Sequence, residues 1–159
     1  MIAKECIDKI STLISEGDTV LEIGSGPGTE LLLEKWKVIS IENYEPMLGE
    51  YHDDYIYAPI VPFEDPKFPR STGWFDTNHI KVGLKDRDYD LIYVDGPAAF
   101  HGRGGFAVNI SLFKDDVPMV FDDVNRRRDR DVMVNVANRL GRKWEMFPVE
   151  GKKFGVVYV

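Results

Sequence analysis

Residues 19–29, TVLEIGSGPGT, contain the pattern that decides the fold of this chain. An apolar run that carries Glu22 breaks into glycines at every second position, Gly24, Gly26 and Gly28. Glycine lets the backbone turn sharply and lets a ligand lie against bare peptide. A leucine-rich segment follows, so the stretch predicts a strand, a tight turn and a helix.

A second apolar run, residues 37–41, ends in Glu42 and Asn43. Two strands joined by a helix, with an acid at the end of the second strand, form a unit that is typical of nucleoside binding. The carboxylate of Glu42 can accept hydrogen bonds from two ribose hydroxyls. We therefore expect Glu42, with Asn43 beside it and Ser25 in the glycine turn, to contact a nucleoside.

The glycine spacing separates two kinds of nucleoside site. A dinucleotide fold requires Gly-x-Gly-x-x-Gly so that the helix amides reach a pyrophosphate. Here the third glycine comes one position early, after Pro27, and Glu22 would repel a phosphate but attract an ammonium or a sulfonium. The pattern Glu-x-Gly-x-Gly-x-Gly resembles motif I of the class I S-adenosylmethionine-dependent methyltransferases. In that family the acid that ends the second strand binds the ribose, which matches Glu42.

Apolar runs and helical spacings alternate along the rest of the chain, which predicts an α/β fold. We expect one doubly wound domain over residues 1–159, with helices on both faces of a mostly parallel sheet and an antiparallel pair of strands at the C-terminus. The resemblance implies seven strands. The predicted strands are 19–23, 37–42, one within 54–61, 90–95, 117–121, 143–149 and 153–159; the predicted helices lie near 2–14, 29–36, 77–84, 106–113 and 127–140; residues 62–76 are a loop or an irregular hairpin.

Three acids follow the fourth and fifth predicted strands: Asp95, Asp122 and Asp123. Ligands of open parallel sheets bind beyond these carboxyl ends, and converging carboxylates suit a divalent cation such as Mg²⁺. The arrangement resembles metal-dependent O-methyltransferases, which implies that these acids are metal ligands. Alternatively, Asp122 caps the next helix and Asp123 pairs with Arg126 or Arg127.

Residues 95–105, DGPAAFHGRGG, place a histidine and an arginine among glycines directly after the fourth strand. The methyltransferase family has its catalytic motif at Asp95, and His101 is a candidate general base; the alternative is an exposed loop histidine. Arg103 either holds a substrate or pairs with Asp95. The segments 89–97 and 122–126, with Gly-Arg between them, resemble polysaccharide-directed methyltransferases, which implies an oxygen acceptor on a sugar or a similar small molecule.

Composition restricts the partners and the compartment. The chain of 159 residues has a formal net charge of −7 and a single cysteine. An acidic chain is a poor ligand for nucleic acid, and we expect none as the acceptor. The lone cysteine, the lack of an apolar run long enough for a membrane and the lack of a signal pattern favour the cytoplasm. Little chain is left to cover a pocket, so a second copy is one way to complete it.

Three other functions remain open at this stage. An aminopropyltransferase would use the same nucleoside pocket but usually has a second acid beside Asp95, which this chain lacks. A nicotinamide-dependent oxidoreductase fits the strand–helix–strand unit but not the glycine spacing. A non-catalytic nucleoside-binding protein would keep Glu42 and the glycines, yet it would not need the acids at 95, 122 and 123.

Overall fold

A central sheet of seven strands organises the molecule, for which a computed structural model describes residues 1–159. The molecule has nine strands, of which β4 and β5 lie outside this sheet: β1 Thr19–Ile23, β2 Lys37–Glu42, β3 Tyr55–Tyr57, β4 Ile60–Pro62, β5 Gly73–Phe75, β6 Leu91–Val94, β7 Met119–Phe121, β8 Trp144–Val149 and β9 Lys152–Val157. The helices are α1 Lys4–Leu13, α2 Thr29–Leu33, α3 Thr77–Leu84, α4 Gly104–Val108 and α5 Arg127–Leu140, with short 3₁₀ turns at Glu45–Met47 and Ile110–Leu112.

The strand order is β3-β2-β1-β6-β7-β9-β8. Strands β3, β2, β1, β6 and β7 pair in parallel, and β9 pairs antiparallel with both β7 and β8. The order reverses between β1 and β6, so the carboxyl ends of these two strands flank the switch point where open sheets bind ligands. The predicted fold class, with seven strands and an antiparallel C-terminal pair, is confirmed.

Alternation along the strands sends apolar side chains to both faces of the sheet. Leu21 and Ile23 of β1 face the larger core, which α3, α4 and α5 cover. Val20 faces the smaller core, which contains Ile10 of α1 and Leu32 of α2. Because both faces are covered, the central strands are buried almost throughout, as expected for a parallel sheet between helices. No helix has the length and apolar character that crossing a bilayer requires.

Proline and hydrogen bonding alter three predicted segments. The single strand predicted within 54–61 divides at Pro59, which lacks an N–H donor. Its first part joins the main sheet as β3, and its second part, β4, pairs with β5 in a separate antiparallel hairpin. The predicted helix 106–113 is two short pieces that meet at Asn109, and the helix predicted over 29–36 ends at Leu33.

Candidate functional site

The three glycines of the first turn meet three different requirements. Gly24 has φ +87°, and a Cβ atom there would lie 2.7 Å from Cα of Gly96, so the backbones after β1 and β6 touch. A Cβ atom at Gly28 would lie 3.0 Å from the Ile2 side chain. At Gly26 a Cβ atom would meet nothing within 4 Å. Gly26 is therefore the one position of the three where the missing side chain leaves open space.

Glu42 is fixed at the end of β2 by backbone amides. Its Oε2 accepts a hydrogen bond from the Ser25 amide at 2.9 Å, and its Oε1 accepts bonds from the amides of Asn43 and Tyr44 at 2.7 and 2.8 Å. A carboxylate has about four lone-pair positions. Three of them are used here, so Oε2 keeps capacity for one more donor.

A cleft of about 350 Å³ opens at this edge of the sheet, between the ends of β1, β2 and β6. Six residues that were predicted to bind the cofactor or to act in catalysis line it: Gly24, Ser25, Glu42, Asn43, Asp95 and His101. Gly26, Gly28 and Glu22 are not part of its lining. The cleft has the size of a small-ligand site, for which volumes of roughly 300–1,000 Å³ are typical.

Glu22 lies beneath the turn rather than in the cleft, and its side chain is buried. The hydroxyl of Thr29 donates to Oε1 at 2.8 Å, and the hydroxyl of Ser40 donates to Oε2 at 2.6 Å. Nε2 of His52 lies 2.8 Å from the same Ser40 hydroxyl, which extends the network to the surface. Burial raises the pKa of Glu22 to about 8, although both hydroxyls oppose the rise and the carboxylates of Asp95 and Glu42 add to it.

The raised pKa of Glu22 predicts a specific dependence of stability on pH. The folded protein keeps the proton up to about pH 8, whereas the unfolded chain loses it near the ordinary pKa of 4.5. Between these values the folded state binds more protons, so this carboxyl lowers stability as pH rises, by at most about 1.4 kcal/mol per pH unit. We expect Glu22→Gln to gain free energy of unfolding relative to wild type from about pH 5 to about pH 8.

Urea unfolding at several pH values measures this gain. Glu30→Gln, a change at an exposed carboxyl in the adjacent helix α2, is the matched control and should follow wild type. A constant difference between Glu22→Gln and wild type over the whole range would contradict a buried, protonated Glu22.

The three acids after β6 and β7 do converge. Asp95, Asp122 and Asp123 each place a carboxylate oxygen within 4.8 Å of the other two. Asp122 is buried; its Oδ2 accepts hydrogen bonds from the hydroxyl of Tyr93 at 3.0 Å and from Nζ of Lys152 at 2.5 Å. The sequence predicted this convergence, but it did not predict that a lysine stands inside it.

Arg103 joins the acids from the other side, and its side chain is also buried. Nη1 donates to the Asp122 carbonyl at 2.9 Å, and Nη2 donates to the Asp95 carbonyl at 3.0 Å and to Oδ1 of Asp95 at 3.1 Å. Nη2 also lies 3.6 Å from Asp123. Of the two roles considered for Arg103, the structure shows the pairing with Asp95: the guanidinium fixes the loop to the ends of β6 and β7.

For Asp122 and Asp123, sequence analysis left helix capping and ion pairing as alternatives to metal binding, and the structure gives a different outcome for each. Asp123 pairs with Arg126 at 3.2 Å, as the ion-pair interpretation predicted. Asp122 does not cap the next helix, because Arg126 is the N-cap residue of α5 and makes no side-chain capping bond. Asp123 has φ +58°, so the chain turns sharply between the two acids.

The oxygens of the three carboxylates suit a hard cation, but basic side chains already balance the negative charge of these carboxylates. Three carboxylates face the cations of Arg103 and Lys152, and Arg126 pairs with Asp123 from outside. A divalent ion would have to displace the ammonium group of Lys152 from Asp122. These residues therefore do not fit a resident metal ion.

Asp95 is the acid that reaches the cleft. Burial raises its pKa to about 6; Asp122 and Asp123 add to the rise, and Arg103 and Lys152 oppose it. Its carboxyl group thus changes protonation close to neutral pH, at the wall of the cleft.

His101 also lines the cleft, and its backbone holds it in place. Its carbonyl accepts a hydrogen bond from the Thr72 amide at 2.8 Å, which ties the loop to the β4–β5 hairpin. The ring packs against Gly73, where a Cβ atom would lie 2.7 Å from Nδ1, and against Phe100, with ring centroids 4.0 Å apart. No side-chain hydrogen bond within the protein occupies the imidazole, and His101 is part of the cleft lining.

Sequence reasoning missed Lys152 and His52. Lys152 reaches Asp122 only because β9 pairs antiparallel with β7, across 30 residues of sequence. His52 is half-buried against Ser40 and stacks on Tyr55. No local sequence signal marks Lys152, which is the first residue of β9.

Comparison with known proteins identifies the fold. No family model matches the sequence, and no curated protein matches it. Among solved structures, a methyltransferase from Pyrococcus furiosus has a TM-score of 0.54 at 15% identity, covering 99% of this chain and 83% of the other. A candidate precorrin-6Y C5,15-methyltransferase domain from Corynebacterium diphtheriae has a TM-score of 0.53 at 14% identity, covering 95% and 92%.

A third match has ligands in its crystal. The methyltransferase MycE of mycinamycin biosynthesis, in complex with Mg and S-adenosylhomocysteine, has a TM-score of 0.50 at 12% identity, and the match covers 90% of this chain but only 41% of MycE. The three proteins share a fold with this chain at low sequence identity. The chain therefore has the fold of the class I S-adenosylmethionine-dependent methyltransferases.

Proposed function

We propose that this protein transfers a methyl group from S-adenosylmethionine to an oxygen atom of a small-molecule or saccharide acceptor. One observation carries the proposal: a single cleft is lined by the glycine turn, by the fixed carboxylate of Glu42, and by Asp95 and His101. The fold supports the transfer, and the resemblance of the segments around Asp95 to O-methyltransferases supports oxygen as the acceptor atom.

The residues around Glu42 fit the nucleoside part of the cofactor. The remaining lone pair on Oε2 can accept a bond from a ribose hydroxyl, and the amides that hold the carboxylate keep it in place. Tyr44 and Met47 supply apolar surface at the same wall, where an adenine base can lie. Gly26 follows Ser25 of the cleft lining, and the open space at Gly26 leaves room for a bound ligand to extend along the turn. When bound, S-adenosylmethionine supplies an electrophilic methyl group.

The other wall supports the acceptor. His101 has a free imidazole at the cleft, which can take the proton of an acceptor hydroxyl as the oxygen attacks. Phe100 is 74% exposed at the cleft mouth and offers a flat apolar face. Arg103 and Lys152 hold Asp95 and Asp122 in position and act on the acceptor only through them. Orientation of the two reactants then supplies much of the rate.

Gly26→Val tests the cofactor site with little risk to the fold. Its backbone φ is not in the left-handed region, and a Cβ atom there meets nothing within 4 Å. We expect the free energy of unfolding to stay within about 0.5 kcal/mol of wild type. A branched side chain directly after Ser25 of the cleft lining fills the open space that the proposed ligand would extend into, so the affinity for S-adenosylhomocysteine should fall at least about tenfold, as measured by calorimetry.

Pro27→Val is the matched control, because it places the same side chain at the next, exposed position. This variant should bind S-adenosylhomocysteine nearly as tightly as wild type. Unchanged affinity in Gly26→Val would place the cofactor elsewhere and refute the assignment of the glycine turn.

The balanced charge of the acid cluster leads to a prediction about metals. We expect methyl transfer to continue in EDTA at a rate within about twofold of the untreated protein, because Arg103 and Lys152 already neutralise the carboxylates. The measurement is production of S-adenosylhomocysteine with and without chelator, followed by addition of Mg²⁺ or Mn²⁺. Loss of transfer in EDTA and recovery with either ion would instead establish Asp95, Asp122 and Asp123 as metal ligands.

A further inference from the structure

A second pocket, of about 240 Å³, carries strong positive charge on an otherwise acidic chain. Four of its lining residues are basic: Lys67, Arg70, Arg127 and Arg128. Asp131 is its only acid, which leaves a surplus of three positive charges. The net charge of the whole chain is −7, so this concentration of cations is a local feature and not a property of the surface as a whole.

These cations have almost no partners within the protein. Arg127 lies 4.0 Å from Asp131, at the limit of an ion pair, and both side chains are well exposed. Lys67, Arg70 and Arg128 make no ion pair and no side-chain hydrogen bond. Since the protein does not neutralise them, their charge is available to a ligand.

The position of the arginines in α5 reinforces this point. Arg127 and Arg128 are the first two residues of a helix of 14 residues. The positive end of the helix dipole favours anions there and disfavours cations. Two arginines lie at this end of α5, and two basic residues of a separate loop lie beside them. An anionic ligand would stabilise this arrangement, because it would offset both the repulsion among the cations and their unfavourable position at the helix start.

The pocket adjoins the loop that carries His101 through Ser71, which lines the pocket. The hydroxyl of Ser71 accepts a hydrogen bond from the Gly104 amide at 2.8 Å, and a Cβ atom at Gly102 would lie within 2.5 Å of that hydroxyl. The next residue, Thr72, donates to the His101 carbonyl. The basic pocket is therefore built onto the same loop that carries His101.

We propose that this pocket binds a phosphoryl group of the methyl acceptor, an inference that rests on the proposed function. A phosphoryl group is a dianion with three acceptor oxygens, which suits a surplus of three charges better than a single carboxylate does. The volume of about 240 Å³ accommodates this group and the atoms next to it. The acceptor is then a small phosphorylated molecule, anchored in the basic pocket with its hydroxyl directed to His101.

Amide chemical shifts during a titration with inorganic phosphate, at constant ionic strength, test the proposal. We expect saturable shifts at Arg70, Ser71, Arg127 and Arg128. The double variant Arg70→Ala/Arg128→Ala should raise the dissociation constant about tenfold. It leaves no acid without its partner, so the fold should persist. Lys143→Ala, at an exposed lysine beyond the opposite end of α5, is the matched control and should bind phosphate as wild type does.

Two further titrations identify the ligand chemistry. Glucuronate carries a carboxylate and no phosphoryl group, so it should shift these amides at least fivefold more weakly; equal binding would overturn the phosphoryl assignment. Deca-thymidylate should bind no more tightly per phosphate than inorganic phosphate does. Much tighter, salt-sensitive binding would identify a nucleic-acid surface and overturn a small acceptor.

Binding of S-adenosylhomocysteine separates this proposal from the function on which it rests. The double variant should bind S-adenosylhomocysteine as tightly as wild type, because neither arginine lines the cleft. Absence of phosphate binding in a protein that binds S-adenosylhomocysteine would refute the phosphoryl pocket alone. Absence of S-adenosylhomocysteine binding in wild type would refute the proposed function, whatever the phosphate titration gives.

Discussion

Replacing His101 with glutamine should lower the turnover of methyl transfer by about a hundredfold to ten-thousandfold, which is the usual contribution of a general base. The side chain stays close in size but loses the nitrogen that accepts a proton. Its neighbours Gly73 and Phe100 contact the ring only through packing, so the fold should be preserved. The measurement is the single-turnover rate on an acceptor found by screening phosphorylated and unphosphorylated sugars with radiolabelled S-adenosylmethionine.

His79→Gln is the control for this change. His79 is an exposed histidine of α3, outside the cleft, where it lies beside Asp76. This variant should retain wild-type turnover, and both variants should bind S-adenosylhomocysteine within about twofold of wild type. Wild-type turnover in His101→Gln would show that His101 is not the general base. Orientation of the two reactants would then account for the rate without proton transfer to His101.

The second large effect is on stability, at Arg103. Arg103→Met keeps an unbranched apolar stem but removes the guanidinium that contacts Asp95, Asp123 and the Asp122 carbonyl. Breaking a buried ion pair by removing one partner typically costs about 3–5 kcal/mol, because the remaining charge is buried without a partner. We expect a loss of that size in urea unfolding at neutral pH.

The control is Arg127→Met, the same substitution on an arginine that is 79% exposed and only 4.0 Å from its partner. Exposed pairs contribute between about zero and 1 kcal/mol, so this variant should unfold close to wild type. A loss in Arg103→Met no larger than the loss in the control would mean that Arg103 does not hold the ends of β6 and β7 together.

Sequence patterns predicted those parts of the fold that depend on interactions between residues close together in the chain. The apolar runs predicted the observed bounds of β1 and β2, and the helical spacing predicted the bounds of α5, which Gly141 ends at φ +64°. The glycine turn and Glu42 were found because a tight turn and a strand-end acid require particular residue types at fixed spacing.

Contacts that depend on tertiary register could not be predicted in this way. Lys152 enters the acid cluster only through the pairing of β7 with β9. Glu22 was assigned to the ligand because it precedes the turn, but it points into the sheet face, where Ser40 and Thr29 hold it. The face of the sheet to which a strand residue points follows from the pleat of the strand, and a sequence motif does not specify that face.

Calorimetric titration of the wild-type protein with S-adenosylhomocysteine and with NAD, side by side, tests the central claim most directly. The cleft beside Glu42, with Gly26 open and no glycine spacing for a pyrophosphate, predicts saturable binding of one S-adenosylhomocysteine per chain and no binding of NAD. Saturable binding of NAD without binding of S-adenosylhomocysteine would contradict the account and identify a dinucleotide site.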